Sequence, residues 1–409
     1  MHRNPLPRRI EVFEGTVQGQ TLTLNAATAT NRGSLLGTDA LTATLTDGLL
    51  NSGQLLSHGA MRFNSGWLTN DGALLGEGDV TLTGNQLTNR GNIQGNTLLL
   101  GNGQVDNSGT VIGLHSLTLQ ATAPLTGRLL RAIAPQKLTN NGGGKLLSQG
   151  TLSATGGSVI NNGSWQGQRI LLNAQQLQNS GSLQSADALT LAVTGSLDTA
   201  TGSKLIASGL ASLQAATYSN QGQWLAKNLI VRGGSLDNRG DISGVEGLDI
   251  ALSGGITVQR GTTLLTAGNL ALSGASVTNL GRVQGANVTL NSGALTNDGT
   301  IQADGGLDVT LNGDLSNSAS GNLLSQNTLR ISGNNLTSQG VLQSGGDMSL
   351  TGAQSTRNDG QLLSGGLLTL ITPQLTNNNW LQAGRLTFGS GMLGNNGSLL
   401  ISQQGILGG

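Results

Sequence analysis

Four acidic residues, Asp237, Asp241, Glu246 and Asp249, crowd one stretch of a chain that has only 20 Asp and Glu among 409 residues. Carboxylates gathered on one face could cleave or eliminate across a glycosidic bond, as in polysaccharide lyases and hydrolases. Here the spacing spreads them over strand and turn positions of a single repeat, so a solvated acidic turn is the simpler reading. Histidine occurs only at positions 2, 58 and 115, without partners at motif spacing, so neither a His-based triad nor a zinc site is visible. Gly305-Gly306-Leu307-Asp308 matches the start of a calcium-binding nonapeptide once, whereas that chemistry needs the nonapeptide repeated. No phosphate-binding loop or dinucleotide fingerprint occurs in its strand-to-helix context. Thr81, Thr118, Thr190, Thr289, Thr310 and Thr369 form one interrupted row, which fits β-propensity on an outward position better than an ice-binding face. No catalytic, cofactor-binding or metal-ligating residue is assigned, and the chain is not expected to be an enzyme.

The residue with the most regular spacing is asparagine. Asn-x-Gly-x-apolar returns about every 19 to 20 residues, as in Asn89-Arg90-Gly91-Asn92-Ile93 and Asn297-Asp298-Gly299-Thr300-Ile301. Asparagine holds the motif position at 31, 51, 70, 89, 107, 140, 161, 179, 220, 238, 279, 297, 317, 358, 377 and 395. Phe13, Thr199, Gln259 and Ser338 fill the remaining registers, giving about 20 coils of 18–21 residues. A fixed period of this size means one structural unit stacked many times.

The elements that position this asparagine are short and alternate apolar with polar, as in Val80-Thr81-Leu82 and Leu368-Thr369-Leu370. That is the period of strands, and Gly, Asn or Ser turn chemistry follows each. The fold class is all-β: a parallel β-helix, or β-solenoid, with three short strands per coil. Twenty coils at about 4.8 Å each give a rod on the order of 95 Å long. The asparagines Asn31, Asn51, Asn70, Asn89, Asn107, Asn140, Asn161, Asn179, Asn220, Asn238, Asn279, Asn297, Asn358, Asn377 and Asn395 are expected to form a hydrogen-bonded ladder at one bend. Glycine two residues later is expected where the backbone needs positive φ. From Asn140 onward a longer unit of three coils, about 59 residues, lies over the first; Trp165, Trp224, Val283 and Leu342 recur at that interval and read as core fillers.

One segment breaks the pattern. Asn107 to Asn140 is 33 residues, and the surplus lies at about 120–137, with Pro124 and Pro135 bracketing Arg128, Leu129, Leu130 and Arg131. It reads as a decorative insertion between coils, with interaction as its second reading. The domain reading is a non-repeat segment 1–10, coils over 11–119, the insertion 120–137, and triplet coils over 138–409. Lys+Arg and Asp+Glu are both 20, so net charge draws the chain neither to nucleic acid nor to an anionic membrane. There is no cysteine, which excludes disulfides and suits a chain that crosses membranes unfolded. No stretch approaches 18 apolar residues, and Met1–Ile10 is basic without an apolar run after it, so neither a membrane span nor a signal peptide is read.

The segments Leu68-Thr-Asn-Asp-Gly-Ala-Leu-Leu75, Leu87-Thr-Asn-Arg-Gly-Asn-Ile-Gln94 and Leu295-Thr-Asn-Asp-Gly-Thr-Ile-Gln302 resemble the repeats of filamentous haemagglutinin and CdiA-type two-partner-secretion exoproteins. The resemblance runs from about residue 11 to the end. It implies a right-handed β-helix on a Gram-negative cell surface, exported by an outer-membrane partner transporter. Such a stalk holds a receptor-binding or toxin region away from the cell, and a cell-surface receptor is its further implied partner. Neither an amino-terminal secretion domain nor a toxin domain is recognised, so an internal stalk segment or a truncated reading frame is expected. The alternatives are a carbohydrate-active β-helix and an autotransporter passenger.

Overall fold

Alternation within four-residue segments dictates the architecture. In Gln54–Ser57 and Lys145–Ser148 the second and fourth residues are buried and the others face outward. A strand with one apolar face needs a neighbour, and the next copy of the same segment lies one coil away. The computed structural model describes residues 9–121, 136–389 and 391–407. Among them every regular element is a strand and every described strand pairing is parallel, in stacked solenoid coils. Among the described residues no helix is long and apolar enough to cross a membrane.

The chain divides into two units, 1–209 and 210–409, each built the same way with about ten bends. In the first, Leu35, Leu55, Leu74, Ile93, Val111, Leu146, Trp165 and Leu183 pair in register from coil to coil. In the second, Trp224, Ile242, Leu264, Val283, Ile301, Leu323 and Leu342 form the matching column. No member of either column is more than 4% exposed. Each buried Leu or Ile contributes about 2 kcal/mol by leaving water. Trp165 and Trp224 are therefore core, as their interval implies.

Many strands are the short pieces expected, three to five residues long, and in other coils the pieces run together. Ser34–Asn51 runs 18 residues, nearly a whole coil. Its corners are places where the pairing slips by a residue, between Leu45 and Gly48, and the backbone ladder resumes beyond them. In coils such as Gly255–Val258, Thr263–Leu265 and Asn269–Gly274 turns separate all three pieces. The first strand, Ile10–Phe13, already pairs with Thr28–Asn31, so pairing starts at the edge of the segment read as non-repeat. Thr110–Gln120 and Lys137–Asn140 flank the insertion, and Asn140 pairs with Asn107 as if nothing intervened. Arg128, Leu129, Leu130 and Arg131 lie outside the described residues.

One register needs correcting. Asn238 pairs with Val258, and Val258 with Asn279, so Val258 and not Gln259 occupies the motif position. The inward alternation of Ile256 and Val258 sets the position, and Gln259 begins the turn that follows. With that change Asn140, Thr199, Val258 and Asn317 stand at even steps of 59 residues. Each opens a turn closed by a backbone bond from the fourth residue to the first: Gly144 to Asn141, Ser203 to Ala200, Thr262 to Gln259 and Gly321 to Ser318. Gly143, Gly202 and Gly261 occupy the third place with φ of 84°, 80° and 74°, the type II arrangement.

An even unit of nearest-neighbour contacts can be excised. Removing residues 259–317 brings Ser338 onto Val258 and keeps every inward position inward. This deletion is expected to fold, with a far-UV circular dichroism spectrum of the same shape and a melting midpoint within a few degrees. Removing 259–287 instead, about one and a half coils, sends inward residues outward, and cooperative melting is expected to be lost.

Candidate functional site

The asparagine column is the longest run of aligned polar side chains. In the first unit each Nδ2 donates to the Oδ1 one coil on: Asn31 to Asn51 at 2.8 Å, Asn51 to Asn70 at 2.7 Å, Asn70 to Asn89, Asn89 to Asn107 and Asn107 to Asn140 at 2.8 Å. Asn140 continues to Asn161 at 2.9 Å and Asn161 to Asn179 at 2.8 Å. In the second unit Asn220 donates to Asn238 at 2.7 Å, Asn279 to Asn297 and Asn297 to Asn317 at 2.8 Å, and Asn317 to the Ser338 hydroxyl at 3.0 Å. Asn358 to Asn377 and Asn377 to Asn395, both at 2.7 Å, complete it. The second amide hydrogen goes to backbone carbonyls, as from Asn70 to Asn92 at 3.1 Å. All these asparagines are buried except Asn395. Their donors are spent within the column, and the arrangement joins coils without presenting amides to a ligand. Its first acceptor, Asn31 Oδ1, is buried without a donor, because the preceding register holds Phe13.

The motif glycines are needed for a different reason from the one expected. Gly33, Gly53, Gly72, Gly91 and Gly109 are not among the positive-φ glycines. A Cβ on Gly72 would lie 2.1 Å from the carbonyl oxygen of Gly53, and one on Gly91 1.9 Å from that of Gly72. The bend stacks backbone directly on backbone, and no side-chain atom fits between. Gly15, Gly33, Gly53, Gly72 and Gly91 line a shallow open trough of about 660 Å³. The charged groups at its rim pair with one another across coils, Arg32 with Glu14 at 3.0 Å and Arg90 with Asp71 at 2.7 Å.

The acidic stretch does not converge. Asp237 accepts from Arg239 and Gln259, Asp241 from Thr263, Glu246 pairs with Lys227, and Asp249 with Arg232. Burial pushes the Asp237 carboxyl up, but the bonds from Gln259 and Arg239 outweigh it and hold the group below the usual range. Asp298 is also held low, by the hydroxyls of Ser318 and Ser320 and by Arg260. These are solvent-facing pairs at the turns, within one coil or across one or two coils, and such surface pairs add little to stability. His58 pairs with Glu77 at 3.0 Å. Among the described residues no group of three His, Asp or Glu could hold a metal ion. Tyr218 meets Trp224 edge to face at 5.7 Å and donates to the Arg232 carbonyl, and burial pushes its phenol above the usual range.

The haemagglutinin repeat matches residues 21–66, 64–123, 96–181, 169–243, 241–333 and 302–371. This chain belongs to the haemagglutinin-repeat family. A tRNA nuclease CdiA of Escherichia coli strain NC101 is 40% identical over 363 residues, covering 89% of this chain and 11% of the relative. A 16S rRNA endonuclease CdiA of Enterobacter cloacae is 39% identical over 374 residues, 91% of this chain and 11% of the relative. A deoxyribonuclease CdiA of Dickeya dadantii is 36% identical over 418 residues, 94% of this chain and 11% of the relative. The haemagglutinin-repeat chain thus spans about 11% of the length of the curated relatives it matches. No solved structure matches it.

One row escaped the sequence reading. Where two aliphatics adjoin, as in Leu35-Leu36, Leu55-Leu56 and Leu74-Leu75, period-two alternation turns the second one outward, where it is only partly buried.

Proposed function

We propose that this chain is a stalk segment of a large exported surface exoprotein of the haemagglutinin and CdiA kind. The observation that carries this reading is the coil-to-coil register kept within each unit, in which polar side chains that could bind something instead bind the next coil. A scaffold of this kind transmits length and stiffness. In this reading the polypeptide leaves a Gram-negative cell through an outer-membrane two-partner transporter, folds outside, and holds a receptor-binding or toxin region at a distance. The nuclease names belong to the relatives, and none of that chemistry is assigned to residues of this chain. The asparagine column serves the scaffold, and the segment at 120–137, with Arg128, Leu129, Leu130 and Arg131, is the place assigned to any contact with a cell-surface receptor.

Expression of the whole gene beside its partner transporter tests the reading. Antibody against these coils is expected to label intact cells, and external protease to remove the label. Label found only after the outer membrane is opened would overturn the surface assignment. For the adhesive half, the purified chain is applied to target cells with and without residues 122–135. Equal binding by both rejects the insertion as the contact.

A further inference from the structure

The outward row of doubled aliphatics runs through consecutive coils. Leu36 pairs with Leu56, Leu56 with Leu75, Leu75 with Gln94, Gln94 with Ile112 and Ile112 with Leu147. The same register in residues 210–409 runs from Leu225 to Leu400 and holds only Leu, Gln and Ser243. No charged residue occurs in either run. Two residues earlier in the same strands, also facing outward, stand Lys145, Asp241 and Arg282. The strand therefore tolerates charge, and its absence is confined to one row. In residues 1–209 the row from Leu36 to Leu147 is aliphatic except at Gln94, and an outward apolar line of that kind is unusual on a soluble surface. In the second unit the row borders an open groove of about 360 Å³ lined by Gln302, Leu324 and Gln343.

We propose that this row is a lateral docking surface for the same row of a second copy of the chain. Three properties favour that occupant. The row carries no charge and the chain has 20 positive and 20 negative residues, so nothing selects an ionic partner and no long-range repulsion keeps copies apart. Its polar members are glutamines and Ser243, each both donor and acceptor, so the surface satisfies itself. Its leucines follow the strand spacing of about 4.8 Å, and only another solenoid of that pitch interdigitates along the whole line, two sheet faces meeting about 10 Å apart. A two-fold, antiparallel arrangement closes the pair.

Size sets the strength. From Leu36 to Gln184 the row is about 34 Å long at that spacing, and a face one strand segment wide covers on the order of 400 Å² per copy. That is about half of the roughly 800 Å² per partner of a standard interface, so the association is weak and reversible.

Sedimentation equilibrium of the full chain from about 1 to 500 µM tests this. The expected result is a reversible dimer, with Leu56→Glu plus Leu75→Glu raising the dissociation constant at least tenfold and leaving the circular dichroism melt unchanged. Thr118→Glu plus Ser153→Glu, on another outward row, is expected to leave the dimer intact. A monomer at every concentration overturns the proposal, as does association that survives the leucine substitutions. Because the chain lacks cysteine, Gln94→Cys, beside the centre of the row where a two-fold axis brings a residue near its own copy, and Thr118→Cys give a second readout should the glutamate variant misfold. Oxidative cross-linking is expected to favour Gln94→Cys, and equal or faster cross-linking at Thr118→Cys overturns the proposal.

Discussion

Asn70→Ala is expected to destabilise the first unit by about 3–5 kcal/mol, the sum of an unsatisfied buried acceptor, a lost donor partner and a small cavity. Asn70 accepts from Asn51 at 2.7 Å and donates to Asn89 at 2.8 Å, to Asn92 at 3.1 Å and to Gly72 at 3.3 Å. Removing the amide leaves Asn89 Oδ1 facing a void. Asn51 Nδ2 keeps only its bond to the Ala73 carbonyl, at 3.1 Å. Asn70→Asp should cost at least as much although its shape is unchanged, because an acceptor then faces the Asn89 oxygen and the group is buried. Urea unfolding followed by circular dichroism measures the cost. Amide hydrogen exchange locates it, with protection expected to fall first in the coils at Asn51 and Asn89. A loss below 1 kcal/mol for the alanine variant would mean that the apolar columns alone hold the coils in register.

The chain itself shows how a gap is healed, and the remedy is specific. At Val258 the column has no amide, and Asn238 Nδ2 turns to the Gly240 carbonyl at 2.9 Å and to the Thr262 hydroxyl at 3.4 Å. On the other side, Asn279 Oδ1 accepts the Gly281 amide at 3.2 Å. Thr262 belongs to the two-residue-longer turn found once per 59 residues, and a coil like that of Asn70 lacks it. A gap at Val258 is therefore cheap and a gap at Asn70 is not.

The same comparison explains what could be read from the sequence. The period, the parallel strands and the column were legible because the asparagine is a visible mark repeated in most coils. Where the mark is missing and coil length varies, counting from neighbours leaves an ambiguity of one residue. Gln259 then stands for Val258 until the inward alternation of Ile256 and Val258 is seen paired with Leu236 and Val277. The outward leucines were hidden for a related reason. In Leu55-Leu56 both residues look like core, and only the strand geometry sends one of them out. At the acidic stretch the residue types were legible, but their dispersal onto separate partners depends on which coil each neighbour occupies.

Glycine was the least legible residue, since two different demands select it, and three substitutions separate them. Gly72→Ala is expected to cost about 3 kcal/mol or more, because its Cβ would meet the Gly53 carbonyl oxygen at 2.1 Å and the Ser52 carbonyl carbon at 2.8 Å. Both contacts are backbone held in the ladder, so relief requires parting two coils. Gly143→Ala meets nothing within 4 Å, but its φ of 84° costs an L-residue about 1–2 kcal/mol. Gly142→Ala has neither obstacle and should be neutral or stabilising by up to about 1 kcal/mol, through the loss of unfolded-chain freedom. Thermal melts of the three variants should rank in that order. If Gly143→Ala proves the most damaging, backbone conformation and not coil-to-coil contact governs the bend. The expected ranking instead ties the motif glycine to the same cause as the asparagine beside it. Both residues are what a backbone requires when it must lie flat on its own next turn.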